Sequence, residues 1–272
     1  MPPKFAYTIN TPDTRQKGLA WSGDMEEIFG KLGEFGYEAV ELFVRDPREL
    51  DAERVNRLLV KNGLQAAAVG TGPIVAEDGL SLTHDDIGIR KNAVARGKVV
   101  VDFAAALGCQ MNVGKFRGNT GESSEKKAWM NEAMREIASH AQKQDVIITI
   151  EPQNRFGCDN SMSTQQTLGW IRELGMPNIR IMLDVFHMQI EDVCIPSSFI
   201  DAADQLLHVH FADTNRECPG TGSIDFTMVL HVLKALKYDK FISMEIKQTP
   251  DSETAAKRAI HYVKTLASFI WP

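Results

Sequence analysis

Four residues in the second half of the 272-residue chain have the types and the spacing to do chemistry together: Glu151, Asp184, His210 and Glu245. They close or nearly close the short apolar runs VIITIE, IRIMLD, LLHVH and FISME, so each stands where a buried strand would end. They follow one another at 33, 26 and 35 residues, about one strand-plus-helix unit per step. An ionised carboxylate beside an apolar core is costly unless something pairs with it, and converging carboxylates repel one another. A divalent cation removes that cost, because it takes carboxylate oxygen and imidazole nitrogen as ligands. Any one of these residues alone reads more simply as a helix cap or a partner for a lysine. Four in register on consecutive strands point to a shared metal ion.

Further polar residues cluster around these ends. His208 and His210 alternate along one strand and so share a face; one could be the ligand and the other packed behind it, and the pattern does not choose. His187, three residues past Asp184, could reach a substrate or be an ordinary surface histidine. Arg216, in the loop FADTNRECPGTG, lies over the same strand end or is solvated. Gly70, Thr71 and Gly72, and then Lys115 and Arg117, follow earlier strand candidates. Arg117 could meet a substrate carboxylate with two parallel hydrogen bonds, with a solvated loop as the alternative.

The elements that must position these residues are legible as a rhythm. Apolar, often β-branched runs fall near 4–10, 38–44, 65–70, 109–116, 145–151, 179–187, 206–213 and 241–247. Between them, Met25 to Phe35 carries Met25, Ile28, Phe29, Leu32 and Phe35 on one helical face. Segments 51–62, 85–107, 124–143, 163–174, 225–237 and 252–269 read as helices in the same way. Gly36, Gly63, Gly108 and Gly175 stand where helices should stop. Strands alternating with helices imply a parallel sheet, and eight such units predict one closed (β/α)8 barrel, an α/β TIM barrel over residues 1–272. An open doubly wound sheet is the alternative, but TINTPDT after the first strand holds no GxGxxG.

Composition narrows the partners. A net charge of −6 and a pI near 5.7 give no overall basic field for a polyanion. No apolar run approaches the roughly 20 residues of a membrane span, and MPPKFAYTIN lacks a signal-peptide core. Cys109, Cys158, Cys194 and Cys218 include no CxxC pair, which fits neither a disulfide framework nor a thiolate metal site. A cytoplasmic protein binding neither nucleic acid nor membrane is expected.

At these residues the chain resembles the xylose-isomerase-like barrels, and among them the ketose 3-epimerases related to D-tagatose and D-psicose 3-epimerase. The matching segments are TIEPQNRF, MLDVFHMQIED, HVHFADTNRECPGTGSIDF and ISMEIK. VELFVRDP, AVGTG and GLSLTHDD are similar to a subgroup that includes 5-keto-L-gluconate epimerases. The resemblance implies one divalent ion, Mn2+ first with Co2+, Mg2+ or Zn2+ as alternatives, on Glu151, Asp184, His210 and Glu245. It implies Glu151 and Glu245 as the acid/base pair inverting the carbon beside a ketone through an enediolate, with His187 and Arg216 holding substrate. It also implies a keto-sugar substrate and, commonly in the group, a homodimer or homotetramer. One position departs: where a glutamate commonly follows NRF in the sugar epimerases, this chain has Gly157. A wider pocket and a carboxylated or substituted keto-sugar follow from that departure. The same machinery would serve an aldose–ketose isomerase, or a dehydratase or lyase of keto-inositols or 3-keto-glycosides. A metal-dependent endonuclease of abasic DNA and a non-catalytic sugar-binding subunit are the remaining alternatives.

Overall fold

A computed structural model describes residues 2–15 and 17–272. Its eight strands are β1 (Lys4–Asn10), β2 (Ala39–Phe43), β3 (Gln65–Gly70), β4 (Gln110–Val113), β5 (Ile148–Ile150), β6 (Ile179–Asp184), β7 (Leu206–Phe211) and β8 (Phe241–Met244). Each pairs in parallel with the next, and β8 pairs back onto β1, so the sheet closes into a barrel in sequence order. The (β/α)8 architecture expected from the strand–helix rhythm is the one observed.

Seven helices match the predicted amphipathic segments: α1 (Met25–Phe35), α2 (Ala52–Lys61), α4 (Ile87–Leu107), α5 (Ser124–Gln142), α6 (Thr164–Leu174), α9 (Phe226–Ala235) and α10 (Ser252–Ile270). Their ends are set by local chemistry. The Asp24 side chain accepts from Glu27 N–H at the start of α1, and Ser163 with Gln166 forms a reciprocal cap on α6. Gly108 and Gly175 close α4 and α6 in the left-handed region, at φ 65° in each case.

Three short helices escape the sequence pattern: α3 (Gly72–Asp78), α7 (Val185–Glu191) and α8 (Ile195–Ala202). All are 7 or 8 residues long, too short to display an amphipathic period. α7 also corrects the expected strand 179–187. β6 stops at Asp184 because the Asp184 carboxylate accepts from Phe186 N–H (2.9 Å) and so starts a helix. Likewise β4 ends at Val113, where a 3-10 turn over Lys115–Arg117 takes over.

Alternation along the strands sorts the side chains. Ile181, Leu183, Val209, Phe211, Ile242 and Met244 belong to the apolar layer between sheet and helices. Residues of the other parity point into the barrel. Its centre is polar here: Thr8, Glu41, Thr149, His208 and Ser243 have no exposed surface. Inward parity then delivers Asp184 and His210 to the C-terminal rim, where this architecture builds its sites. No helix among the described residues is long and apolar enough to cross a membrane, and all four cysteines are free thiols.

Candidate active site

Glu151, Asp184, His210 and Glu245 meet at the C-terminal ends of β5 to β8. One ligand atom from each lies within 4.8 Å of all the others, although the residues come from four elements. Asp184 and His210 are register partners across β6 and β7, and Ser243 beside His210 puts Glu245 one residue beyond β8. Glu151 N–H donates to Val113 O (3.0 Å), holding the first residue past β5 against β4. From His210 Nδ1 the carboxylate oxygens stand at 3.2 Å (Glu245), 3.6 Å (Glu151) and 3.9 Å (Asp184).

The donor set fits a divalent metal. Ligands about 2.1 Å from a common ion lie roughly 3 Å apart when adjacent and about 4.2 Å apart when opposite, close to the spacings seen. Three carboxylates and one imidazole suit manganese, magnesium, cobalt or zinc. Glu151 Oε1 is buried with no hydrogen-bond partner and faces His210 and His187. An oxygen left in that condition is costly unless a cation satisfies it.

Sequence reasoning missed Glu41, which organises the site from below. It is fully buried on β2 and accepts from Asn112 Nδ2 (2.7 Å). Its Oε2 lies 2.8 Å from His210 Nε2 and 2.8 Å from His208 Nε2. The structure thereby chooses between the two histidines: His210 presents Nδ1 to the carboxylates, while His208 sits one layer deeper, against Glu41 and Ser243. A carboxylate behind a ligating histidine fixes the ring and raises its basicity. Burial alone would strip the proton from His210, yet Glu41 and Glu151 carry its pKa up to about 10. Burial would also raise the Glu41 carboxyl, but the two histidines hold it well below the usual range. A signal existed in AVELF, where a glutamate interrupts a strand that is otherwise apolar.

His187 and Arg216 both turn inward rather than out to solvent. His187 stands on the first turn of α7, and Asn154 N–H donates to its Nδ1 (3.3 Å). That leaves the proton on Nε2, which points at Asp184 Oδ2 (3.8 Å) and Glu151 Oε1 (3.9 Å). Burial pushes the His187 pKa down, so the ring is a neutral donor aimed into the site. Arg216 adopts a left-handed backbone (φ 63°), which directs its side chain down from the loop after β7. Its guanidinium donates to Asp184 Oδ2 (2.5 Å) and to Glu245 Oε2, and stacks 4.6 Å over the Phe186 ring. Asp213 shapes that loop by accepting from Thr214, Gly220 and Ile224 N–H groups (2.8–3.1 Å). Asp184 balances burial, which raises its pKa, against Arg216, His187 and His210, which together bring it below the usual carboxylate value.

The remaining candidates divide. Gly70, Thr71, Gly72 and Lys115 line an open cavity of about 590 Å³ above the four ligand candidates, together with Lys17, Gln153, Asn154 and Phe186. Arg117 does not line it, and it is not solvated either. It is fully buried, donating to the backbone oxygens of Gly114, Glu151, Asn160 and Ser161 and to Asn160 Oδ1 at 2.9–3.3 Å. It therefore fastens the Glu151 segment to the loop after β4. Arg117→Lys should lower unfolding free energy by about 2–3 kcal/mol, since one ammonium cannot reach five acceptors spread along a planar fork. Urea denaturation reads this, and a loss below about 0.5 kcal/mol would contradict the fastening role.

The sequence profile described as xylose isomerase-like TIM barrel matches residues 29–266. The ketose 3-epimerase of Arthrobacter globiformis is 28% identical over 232 residues, covering 82% of this chain and 79% of that protein. The hydroxypyruvate isomerase of Escherichia coli (strain K12) is 27% identical over 257 residues, 88% of this chain and 97% of its own. Among solved structures, the D-allulose 3-epimerase from Methylomonas sp. in complex with D-allulose superposes with a TM-score of 0.81 at 24% identity, over 97% of each chain.

Proposed function

The chain belongs to the xylose isomerase-like TIM barrel family, and from that premise we propose that it is a divalent-metal-dependent epimerase of a keto-sugar or keto-sugar acid. The observation that carries the reading is the buried convergence of Glu151, Asp184, His210 and Glu245 at one end of the barrel. The two glutamates are the outer members of that arc, on the ends of β5 and β8, with Asp184 and His210 between them. The ketose 3-epimerase relative supports the choice of reaction.

Glu151, Asp184, His210 and Glu245 hold the metal, for which Mn2+ is the first choice. When bound, the ion supplies Lewis-acid stabilisation of the negative charge that develops beside the exchanging carbon. The protein side chains do the rest. One glutamate takes the proton from the carbon next to the ketone, and the other returns a proton to the opposite face. The neutral His187 Nε2–H donates to a substrate oxygen, and the Arg216 guanidinium holds a second one. Burial of the whole set keeps these dipoles fixed and strong. On this reading the protein is cytoplasmic, its partner is a small-molecule keto-sugar, and it assembles as a homodimer or homotetramer, which sedimentation would measure.

The test is proton exchange. The manganese-loaded protein is incubated in heavy water with ketohexoses, keto-hexonates and 3-keto-glycosides, and followed by proton NMR. Deuterium at the carbon beside the ketone, together with an epimer, is expected with at least one of them. No exchange with any member would refute the reading. An aldose product would instead favour an aldose–ketose isomerase, the second reading, which the hydroxypyruvate isomerase relative supports.

A further inference from the structure

Lys115 has no part in the proton exchange described above, yet its side chain lies in the cavity in a defined place. It opens the 3-10 turn after β4, and the two residues that follow it, Phe116 and Arg117, are fully buried and fix its backbone. Its stem extends over Gly157 on the loop after β5. A Cβ added at Gly157 would stand 2.7 Å from Lys115 Cε and 3.1 Å from Nζ, so a larger residue there would push the lysine away. Gly157 does not adopt the left-handed backbone that demands glycine. Its contribution is the space, and the ammonium takes that space.

The charge around this ammonium is unbalanced. Among the described residues Lys115 makes no ion pair or side-chain hydrogen bond. The same cavity holds a second lysine, Lys17, while its floor carries Glu151 and Glu245. The floor carboxylates are balanced by Arg216 and by the cation they would hold, so the lysine is the charge left over to draw an anionic group, and the charge pattern sets which end of the ligand points where. At about 590 Å³ the cavity falls in the ordinary range for small-molecule sites, with room for a substituent beyond the reacting carbons.

We propose that Lys115, lying in the space left by Gly157, receives a carboxylate of the substrate on the β4–β5 side of the cavity, making the protein selective for keto-sugar acids over neutral ketoses. The inference rests on the keto-sugar reading above for the rest of the substrate. A phosphate monoester offers the same anionic oxygens, and the comparison below separates it from the carboxylate.

The test compares kcat/KM for deuterium exchange with a keto-hexonate, the matching ketohexose and its phosphate ester. Wild type should favour the carboxylate over the neutral sugar by about tenfold or more. Lys115→Met should bring that ratio close to one, mainly through KM, and Lys115→Arg should retain most of it. Gly157→Glu should abolish the preference as well, by displacing Lys115 and adding a like charge. A wild-type preference for the neutral sugar, or a ratio unmoved in Lys115→Met, would overturn the inference while leaving the epimerase reading intact. A stronger preference for the phosphate ester would overturn the carboxylate assignment. Should no sugar exchange, calorimetric titration of a six-carbon aldonate against the corresponding hexitol decides separately. A preference for the aldonate that disappears in Lys115→Met sustains the subsite though the epimerase reading fails; no preference overturns the subsite too.

Discussion

Glutamine in place of Glu245, or of Glu151, should cut turnover by about 10²–10⁴-fold while moving KM far less. The substitution keeps the side chain's shape and one neutral oxygen but removes its capacity to carry a proton. In a two-carboxylate exchange both faces of the carbon are needed, so either replacement alone stops inversion. The two variants should differ in a second respect. Glu245 already pairs with Arg216, whereas Glu151 Oε1 has no hydrogen-bond partner. Glu245→Gln therefore leaves Asp184 as the guanidinium's one anionic partner, a change in the site that Glu151→Gln does not make. Single-turnover rates on metal-saturated protein, with metal content measured in parallel, separate lost proton transfer from lost metal. A Glu151→Gln or Glu245→Gln enzyme turning over at the wild-type rate would refute the scheme.

Glu41→Ala should be the most damaging change outside the four ligand candidates. It leaves His210 Nε2 and Asn112 Nδ2 facing a space with no acceptor and His208 Nε2 with Ser243 Oγ alone, all in the barrel interior. Removing one partner of a buried charged network costs about 3–5 kcal/mol, and losing the carboxylate behind a metal-bound histidine costs roughly 10–100-fold in metal affinity. Denaturant midpoints read the first quantity and competition with a metal-binding dye reads the second. Glu41→Gln, which can still accept one hydrogen bond, should lose less of each. A Glu41→Ala variant as stable as wild type and binding metal equally well would show that the brace is dispensable.

How much of this was legible in the sequence depends on where each residue stands in its element. Glu151, Asp184, His210 and Glu245 were readable because each sits at or near the end of an apolar run and the runs recur at βα spacing. Glu41 sits in mid-strand, where a lone glutamate has no periodic companion; only the closed barrel brings two histidines 167 and 169 positions away onto it. His208 and His210 share a face, so their roles follow from register against β6 and β8, which no local pattern encodes. Arg117 was read as a pocket or loop residue because a charged side chain after a strand is usually exposed. Its burial depends on oxygens from Glu151, Asn160 and Ser161 converging at a point the chain reaches only later. The short helices α3, α7 and α8 are likewise products of their context, too brief to repeat a pattern, and α7 starts directly from the last residue of β6.

Glu41 also changes what counts as the working part of the chain. Glu151, Asp184, His210 and Glu245 all fall in the second half of the chain, so that half looks like a self-sufficient module. The anchor for its histidine comes instead from β2, and the residue that steadies that anchor, Asn112, comes from β4. Half-barrels cut between α5 and β5 would each be incomplete, one holding the ligands without their support and the other the support without ligands. Ring closure is thus a condition for chemistry as well as for stability: the site comes into being only when the earliest and latest strands have found each other.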